Sequence, residues 1–282
     1  MQKLFNKILV PVNFSPGSEL AVEKAIDMAG EHQCSIHLLH TVTIESFAAA
    51  TLADRHLPVP PNLVDNRSEL EYRLGKICAH IATTTADTVK ADYTVAQGSW
   101  TEAIIDAIHS LGIDLVLAGR KENLFSKRKM MLNPDLIAER TKVPVVTIPS
   151  GKSFSKLMSI LIPVTDFLPV RKIMYGIYLA TYYKASIRLL AVGTDKTKET
   201  VSYYLARANQ LIHEHCNIKT DMEMVVCNNT AVAVNEYAKL KSADLIIVNP
   251  RTQTKMPGFF SSLFGNILQK KAEPPVLTVA PL

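Results

Sequence analysis

The chain has 282 residues, 48% of them hydrophobic and 20% charged, which is enough apolar material for about two globular domains and excludes a disordered chain. The net charge of +5 is uneven, because residues 1–150 hold 15 Lys and Arg against 17 Asp and Glu, whereas residues 151–282 hold 16 against 9. The second half, at +7, suits either an anionic contact or a basic surface that serves solubility.

The first half of the chain alternates short apolar runs with helical patterns. Its opening, "MQKLFNKILVPVNF", has too short an apolar run for a signal peptide, and no apolar segment approaches the roughly 18 residues that span a bilayer. We therefore expect a cytoplasmic protein without membrane association. Runs of Leu and β-branched residues without polar alternation are typical of parallel strands buried on both faces. They predict strands at about 8–12, 36–41, 91–96, 114–118 and 143–148.

The second half repeats the first. "KILVPVNF" returns as "SILIPVTDF", and "CSIHLLHTV", "GIDLVLAG" and "VPVVTIP" return in the same order as "ASIRLLAVG", "SADLIIVN" and "PPVLTVA". The repeat predicts strands at about 160–164, 187–192, 219–226, 244–248 and 276–279. Five strands with four crossovers predict a doubly wound α/β domain with a parallel sheet in each copy. The join falls in "PSGKSFSK", so we expect domains at 1–150 and 156–282 with a linker at about 151–155.

Helix starts are visible after the third strand of each copy. Ser99 and Glu102 have the spacing of a capping box, in which the serine accepts a hydrogen bond from the glutamate backbone and the glutamate reaches back. In the second copy, Asn229 or Thr230 can cap the helix that begins with "AVAVNEYAKL".

Four segments together carry a family resemblance. "ILVPVNFSPGSELAVEKAIDMA", "AQGSWTEAIIDAI", "DLVLAG" and "VPVVTIP" resemble the universal stress protein family, and two passes of the pattern cover nearly the whole chain. The resemblance implies a tandem universal stress protein with two Rossmann-like domains of the adenine-nucleotide-hydrolase type. It also implies an approximate two-fold relation and pairing of the domains through their last strands, here within one chain, with a homodimer as a further option.

The family divides over nucleotide binding, and the first copy lacks the binding pattern. Members that bind ATP resemble one another in a G-x2-G-x9-G-[ST] loop after the fourth strand and an Asp at the end of the first strand. Here Asn13 replaces that Asp, and no glycine follows Gly119 until Gly151. We expect no ATP binding in the first domain. The loop is either solvated or a side-chain anion site, and its cations are Arg120, Lys121, Lys127, Arg128 and Lys129.

The second copy keeps part of the nucleotide pattern. Gly258 and Gly265 follow its fourth strand, but six residues separate them where the family pattern has nine. Asp166 stands near the end of the first strand, Val192 ends the second, and Asn249 follows the fourth. If this copy binds ATP or AMP, we expect these five residues to line the site. The alternative is an ordinary turn followed by an amphipathic helix.

Other chemistry has little support in the sequence. His213 and Cys216 are three residues apart on a predicted helix, but nothing nearby supplies a third metal ligand. His37 and His40 are expected to line a helix-packed face rather than to act as bases. No G-x-S-x-G, H-E-x-x-H, Walker or G-x-G-x-x-G motif is present. We therefore expect no metal and no catalytic residue, and at most a very slow ATPase.

Three functions remain open. The first is a non-catalytic stress-response protein with weak or no ATP binding and no resident cofactor, which acts through contacts with unidentified protein partners. The second is an ATP- or AMP-binding sensor that uses only the second domain. The third is a nucleic-acid-associated protein, which we do not expect because no helix-turn-helix or aromatic-and-basic stripe accompanies the positive charge.

Overall fold

The computed structural model describes residues 3–42, 67–120, 132–149, 157–250 and 274–281. These ranges contain the strands β1 (Lys7–Pro11), β2 (Ser35–Val42), β3 (Ala91–Gln97), β4 (Leu115–Gly119), β5 (Val145–Ile148), β6 (Ser159–Val164), β7 (Ser186–Gly193), β8 (Thr220–Val226), β9 (Leu245–Val248) and β10 (Val276–Thr278). The helices of the same ranges are α1 (Pro16–His32), α2 (Arg67–Thr84), α3 (Trp100–Leu111), α4 (Pro134–Thr141), α5 (Val170–Tyr183), α6 (Lys198–His215) and α7 (Thr230–Leu240). All ten predicted strands are present, and the α/β fold with a mostly parallel sheet is confirmed.

The residues form two compact units. Gln2–Asn133 make the N-terminal unit and Pro134–Leu282 make the C-terminal unit. The division lies ahead of the repeat boundary at residue 150 because α4 and β5 pack with β10. The domain limits read from the sequence repeat stay a prediction.

The described residues of the N-terminal unit form four parallel strands in the order β3, β2, β1, β4. Helix α1 packs on β1, β2 and β4, α2 packs on β3, and α3 packs on β2. Right-handed crossovers place α1 and α2 on one face of the sheet and α3 on the other. Strand β1 has β2 on one side and β4 on the other, so the crossovers on its two sides leave in opposite directions. Ligands of doubly wound sheets bind at the carboxyl end of such a switch point.

The C-terminal unit repeats this arrangement and adds a strand. Its parallel strands follow the order β10, β9, β6, β7, β8, and β6 is the switch-point strand. Strand β5 pairs antiparallel with β10, with Val145 opposite Thr278 and Thr147 opposite Val276. Arg171 strengthens this region, because its guanidinium donates to the carbonyl oxygens of Ala280 at 2.9 Å and Lys142 at 2.7 Å.

Both predicted helix starts are observed. The Ser99 side chain accepts a hydrogen bond from the Glu102 backbone N–H at 3.3 Å, and the Asn229 side chain accepts one from Val232 at 3.2 Å. Among the helices of the described ranges, none is long and apolar enough to cross a membrane.

Candidate functional site

The switch point of the N-terminal unit lies where β1 ends, and its polar groups bond to one another. The Asn13 side-chain oxygen accepts hydrogen bonds from the Ser15 backbone N–H at 3.2 Å and from the Ser15 hydroxyl at 2.6 Å. Ser15 and Ser18 then form a capping box at the start of α1. Asn13 and the Ser18 backbone N–H are therefore already hydrogen-bonded within the protein, and an anion would have to displace these bonds.

On the other side of this switch point, the backbone of β4 is in contact with the backbone of α1. A Cβ atom added to Gly119, at the end of β4, would lie 2.0 Å from the carbonyl oxygen of Gly17 and 2.9 Å from the backbone nitrogen of Ser18. Only a glycine allows this approach of β4 to the first turn of α1. The space between these two elements is filled by main chain.

Four side chains form an aromatic stack over the carboxyl ends of β1 and β2. The ring centres of Phe14 and His40 lie 5.1 Å apart, and those of His40 and Trp100 lie 5.6 Å apart with the rings nearly perpendicular. The Arg73 guanidinium lies 3.8 Å from the centre of the Phe14 ring. Arg73 comes from α2 and Trp100 from α3, so the stack reaches from one helical layer to the other across the sheet edge. Phe14 has a backbone φ of 56°, a left-handed conformation that costs a residue with a side chain about 1–2 kcal/mol.

The two histidines of β2 are buried and hydrogen-bonded. His40 Nδ1 lies 2.7 Å from the Val12 carbonyl oxygen, and because a carbonyl only accepts, this nitrogen carries the proton. His37 Nε2 lies 2.9 Å from the Thr94 hydroxyl, and burial lowers the pKa of His37. These contacts agree with the prediction that both residues line a packed face.

The basic loop after β4 lies almost entirely outside the described residues. Of its five cations, only Arg120 is described, and burial lowers the pKa of its guanidinium to about 10. Arg120 therefore remains charged at neutral pH.

The residues predicted for a nucleotide site in the C-terminal unit have different surroundings. Asp166 is exposed and has no hydrogen bond to another described residue. Val192 is 3% exposed and packs in a core cluster with Val234 and Tyr237. The Asn249 amide donates to the Val279 carbonyl oxygen at 2.8 Å, while its own oxygen is buried without a partner in the described ranges. Gly258 and Gly265 lie outside the described residues, so the five-residue site stays a prediction.

Lys172, in the first turn of α5, was not among the residues predicted from the sequence. Its side chain is buried, and its Nζ donates to the Pro163 carbonyl oxygen on β6 at 2.6 Å. Burial lowers the pKa of this amine to about 7. A sequence signal exists, because Lys172 begins the i, i+4, i+7 stripe that continues through Gly176 and Leu179 and packs on the sheet.

The chain matches known proteins in its first half. Residues 4–149 match the universal stress protein family. This chain belongs to the universal stress protein family. Universal stress protein A of Salmonella typhi is 27% identical over 128 residues, which are 44% of this chain and 81% of that relative. The family match does not extend into the second copy, so a second family domain stays a prediction.

Solved structures match over a longer part of the chain. A universal stress protein from Archaeoglobus fulgidus is similar over 98% of this chain and 96% of its own, with a TM-score of 0.71 and 15% identity. A putative universal stress protein from Pseudomonas aeruginosa is similar over 99% of this chain and 94% of its own, with a TM-score of 0.59 and 16% identity. At these identities the likeness concerns the fold alone.

Metal chemistry gains no support from the described residues. Within them, no group of three or more His, Cys, Asp or Glu side chains is placed to hold a metal ion. His213 instead bonds to the Thr220 hydroxyl at 2.9 Å, and the Cys216 thiol donates to the Ile212 carbonyl oxygen at 3.1 Å. The four free cysteines are Cys34, Cys78, Cys216 and Cys227.

Proposed function

We propose that this universal stress protein is non-catalytic, binds ATP weakly or not at all, and acts through contacts with protein partners. The observation that carries the proposal is that the protein's own side chains and backbone occupy the carboxyl ends of β1, β2 and β4 in the N-terminal unit. The aromatic stack lies over β1 and β2, the Asn13 side chain accepts two hydrogen bonds from Ser15, which caps α1, and Gly119 contacts the backbone of α1. An adenine nucleotide in this position would have to displace the protein's own groups.

The cost of such a displacement can be bounded from the contacts of Phe14. Moving its ring breaks one aromatic pair, worth about 0.5–1.5 kcal/mol, and one cation–π contact, worth about 0.5–2 kcal/mol. Since each 1.4 kcal/mol changes affinity tenfold, this cost of roughly 1–3 kcal/mol lowers affinity about five- to 150-fold. The bonds of Asn13 to Ser15 add to that cost. We therefore expect the N-terminal unit to discriminate strongly against adenine nucleotides.

Action through protein contacts is supported by the exposed side chains of β8. Met222, Met224 and Val226 are 49%, 37% and 52% exposed, and their alternation places them on one face of this strand. Contiguous apolar surface of this kind is more typical of a contact region than of a solvated strand.

Two measurements on the purified full-length chain test the proposal. Mass spectrometry of the small molecules released on denaturation should find no adenine nucleotide, and calorimetry with ATP should give no saturable heat up to millimolar concentration. Co-purified ATP, or saturable binding at micromolar concentration, would contradict it.

A second candidate is an adenine-nucleotide sensor that uses only the C-terminal unit. It is favoured by Asp166, whose exposed carboxylate follows β6 and bonds to no other described residue, so that it is available to a ribose or an adenine amine. If this candidate is right, Asp166→Ala abolishes ATP or AMP binding and the matched change Asn13→Ala leaves it intact. Nucleotide binding that survives Asp166→Ala would exclude this site.

A further inference from the structure

Strand β8 lies at the edge of the sheet, and its outward backbone groups follow from its bonds to β7. Within the described part of the chain, β8 pairs with β7 alone. The Ile187 N–H donates to the Lys219 carbonyl oxygen, and the Cys227 N–H donates to that of Gly193. Because backbone groups alternate in direction along a strand, the odd-numbered residues of β8 bond to β7 and the even-numbered ones face outward. The outward-facing residues are Thr220, Met222, Met224 and Val226.

The same even-numbered positions carry an exposed apolar stripe. Met222, Met224 and Val226 are exposed and lie on one face of β8. This is the face that α6 covers, because Val226 neighbours Gly193, where an added Cβ would lie 3.3 Å from the Val201 side chain of α6. Helix α6 packs mainly on β7, so it leaves the stripe open to solvent. Free backbone groups and exposed apolar side chains therefore belong to the same residues.

The charged side chains of β8 are already neutralised within the protein. Asp221 pairs with Arg188 at 3.0 Å. Glu223 pairs with Lys241 at 2.7 Å and accepts a hydrogen bond from the Tyr237 hydroxyl at 2.9 Å. Edge strands are commonly protected from pairing by free charges or by proline, and β8 contains no proline. Its outer edge therefore favours a neutral, apolar strand over a charged partner.

A second β8 in antiparallel orientation has the pattern that this edge requires. In the two-fold register centred on Met224, outward-facing residues oppose outward-facing residues and can exchange both backbone hydrogen bonds. The opposing pairs are Met224 with Met224, Met222 with Val226, and Thr220 with Asn228. Apolar positions thus meet apolar positions, and polar ends meet polar ends. A register centred on Glu223 would instead place two carboxylates directly opposite each other, which is unfavourable.

We propose that two copies of this chain associate by antiparallel pairing of their β8 strands in the two-fold register centred on Met224. A two-fold contact uses one self-complementary patch twice, and two-fold dimers are the commonest assemblies of soluble proteins. The C-terminal unit already contains one antiparallel edge pairing, that of β5 with β10. The β8 pairing rests on the proposed function, because it gives the protein contacts of this strand a partner, a second copy of the chain.

Sedimentation velocity of the full-length chain at micromolar concentrations tests the pairing. The unaltered chain should sediment as a dimer that dissociates on dilution. Met224→Lys should raise the dissociation constant at least about tenfold, because the two introduced ammonium groups face each other across the two-fold axis. Met174→Lys is the matched control, since Met174 is an exposed methionine on α5. This control adds the same charge away from β8 and should leave the dissociation constant unchanged.

A charge pair tests the register through a gain of association. Met222→Lys alone should weaken the dimer, because it places an ammonium opposite Val226 of the second copy. Adding Val226→Glu to the same chain should restore most of the lost affinity, since the introduced carboxylate then lies opposite the introduced ammonium of the second copy. Within one copy the two positions are four residues apart along the strand, about 13 Å, so a pair within one chain does not explain the restoration.

Three results would overturn the pairing. They are a chain that stays monomeric at these concentrations, a dimer that Met224→Lys leaves intact, and a weakened Met222→Lys dimer that Val226→Glu fails to restore. A monomer that binds no ATP removes only the pairing and leaves the proposed function with contacts to another protein. A dimer that passes both tests but binds ATP at micromolar concentration would contradict the proposed function and leave the pairing standing.

Discussion

Replacing Gly119 with Ala tests the close contact between β4 and the first turn of α1 by its effect on the free energy of unfolding. The new Cβ would lie 2.0 Å from the Gly17 carbonyl oxygen, whereas ordinary contact begins near 3.4 Å. The obstacle is backbone, so the start of α1 must move by more than 1 Å. Overpacking of this kind costs about 1–3 kcal/mol, and more where main chain must shift. The lower conformational entropy of the unfolded Ala variant offsets only about 0.4–1 kcal/mol of this cost.

Urea unfolding followed by tryptophan fluorescence reports on the N-terminal unit, because the single tryptophan of the chain, Trp100, lies there. With a urea dependence of about 1–3 kcal/mol per molar, we expect the midpoint to fall by about 1 M. Gly30→Ala is the control, since a Cβ there meets nothing within 4 Å and the exposed position is inside α1. This control should raise the midpoint through helix propensity. Equal midpoints for both variants would refute the close approach.

Three further predictions concern other contacts. Phe14→Gly should be more stable than Phe14→Ala by about 1 kcal/mol in the same assay, because both lose the ring but only glycine relieves the φ of 56°; equal stability would mean that the conformation carries no strain. His32 is buried with its pKa lowered to about 4, chiefly by burial and then by Lys3, so the unfolded chain binds the proton more tightly. Stability should therefore fall as pH drops from about 6.5 to 4, by up to about 1.4 kcal/mol per unit, and His32→Gln but not His109→Gln should reduce the fall. Cleavage of the chain within residues 151–155 should leave two fragments that stay associated through β5 and β10. Arg171→Met should weaken this association because it removes two hydrogen bonds. Cleaved protein without this substitution whose fragments separate on a sizing column would contradict the pairing.

The strands could be predicted from the sequence because parallel strands buried on both faces leave continuous apolar runs. The runs at 115–118 and 245–248 are examples, and the observed strand bounds differ from the predicted ones by at most two residues. The same continuity limits what the sequence can predict about the surroundings of Val192. A strand buried on both faces shows no alternation, so the sequence cannot tell which residue faces a crevice and which, like Val192, packs in the core.

The features that decide the sites depend on tertiary packing. Nothing local predicts that Phe14 adopts a left-handed conformation or that Arg73, 59 positions later, covers its ring. The need for glycine at position 119 comes from α1, which is distant in sequence. Lys172 reads as a surface lysine until the stripe through Gly176 is placed on the sheet. Local patterns therefore predict the scaffold, while burial and long-range contacts determine the chemistry.

The most direct test of the central claim is a titration of ATP into the full-length chain, followed by calorimetry and by Trp100 fluorescence at the same time. Trp100 packs against His40 in the aromatic stack, so any ligand that opens the stack changes its surroundings. The account predicts no saturable heat and no change in Trp100 emission up to millimolar ATP. Saturable micromolar binding together with a change in Trp100 emission would show that the N-terminal unit accepts the nucleotide, and would contradict the account.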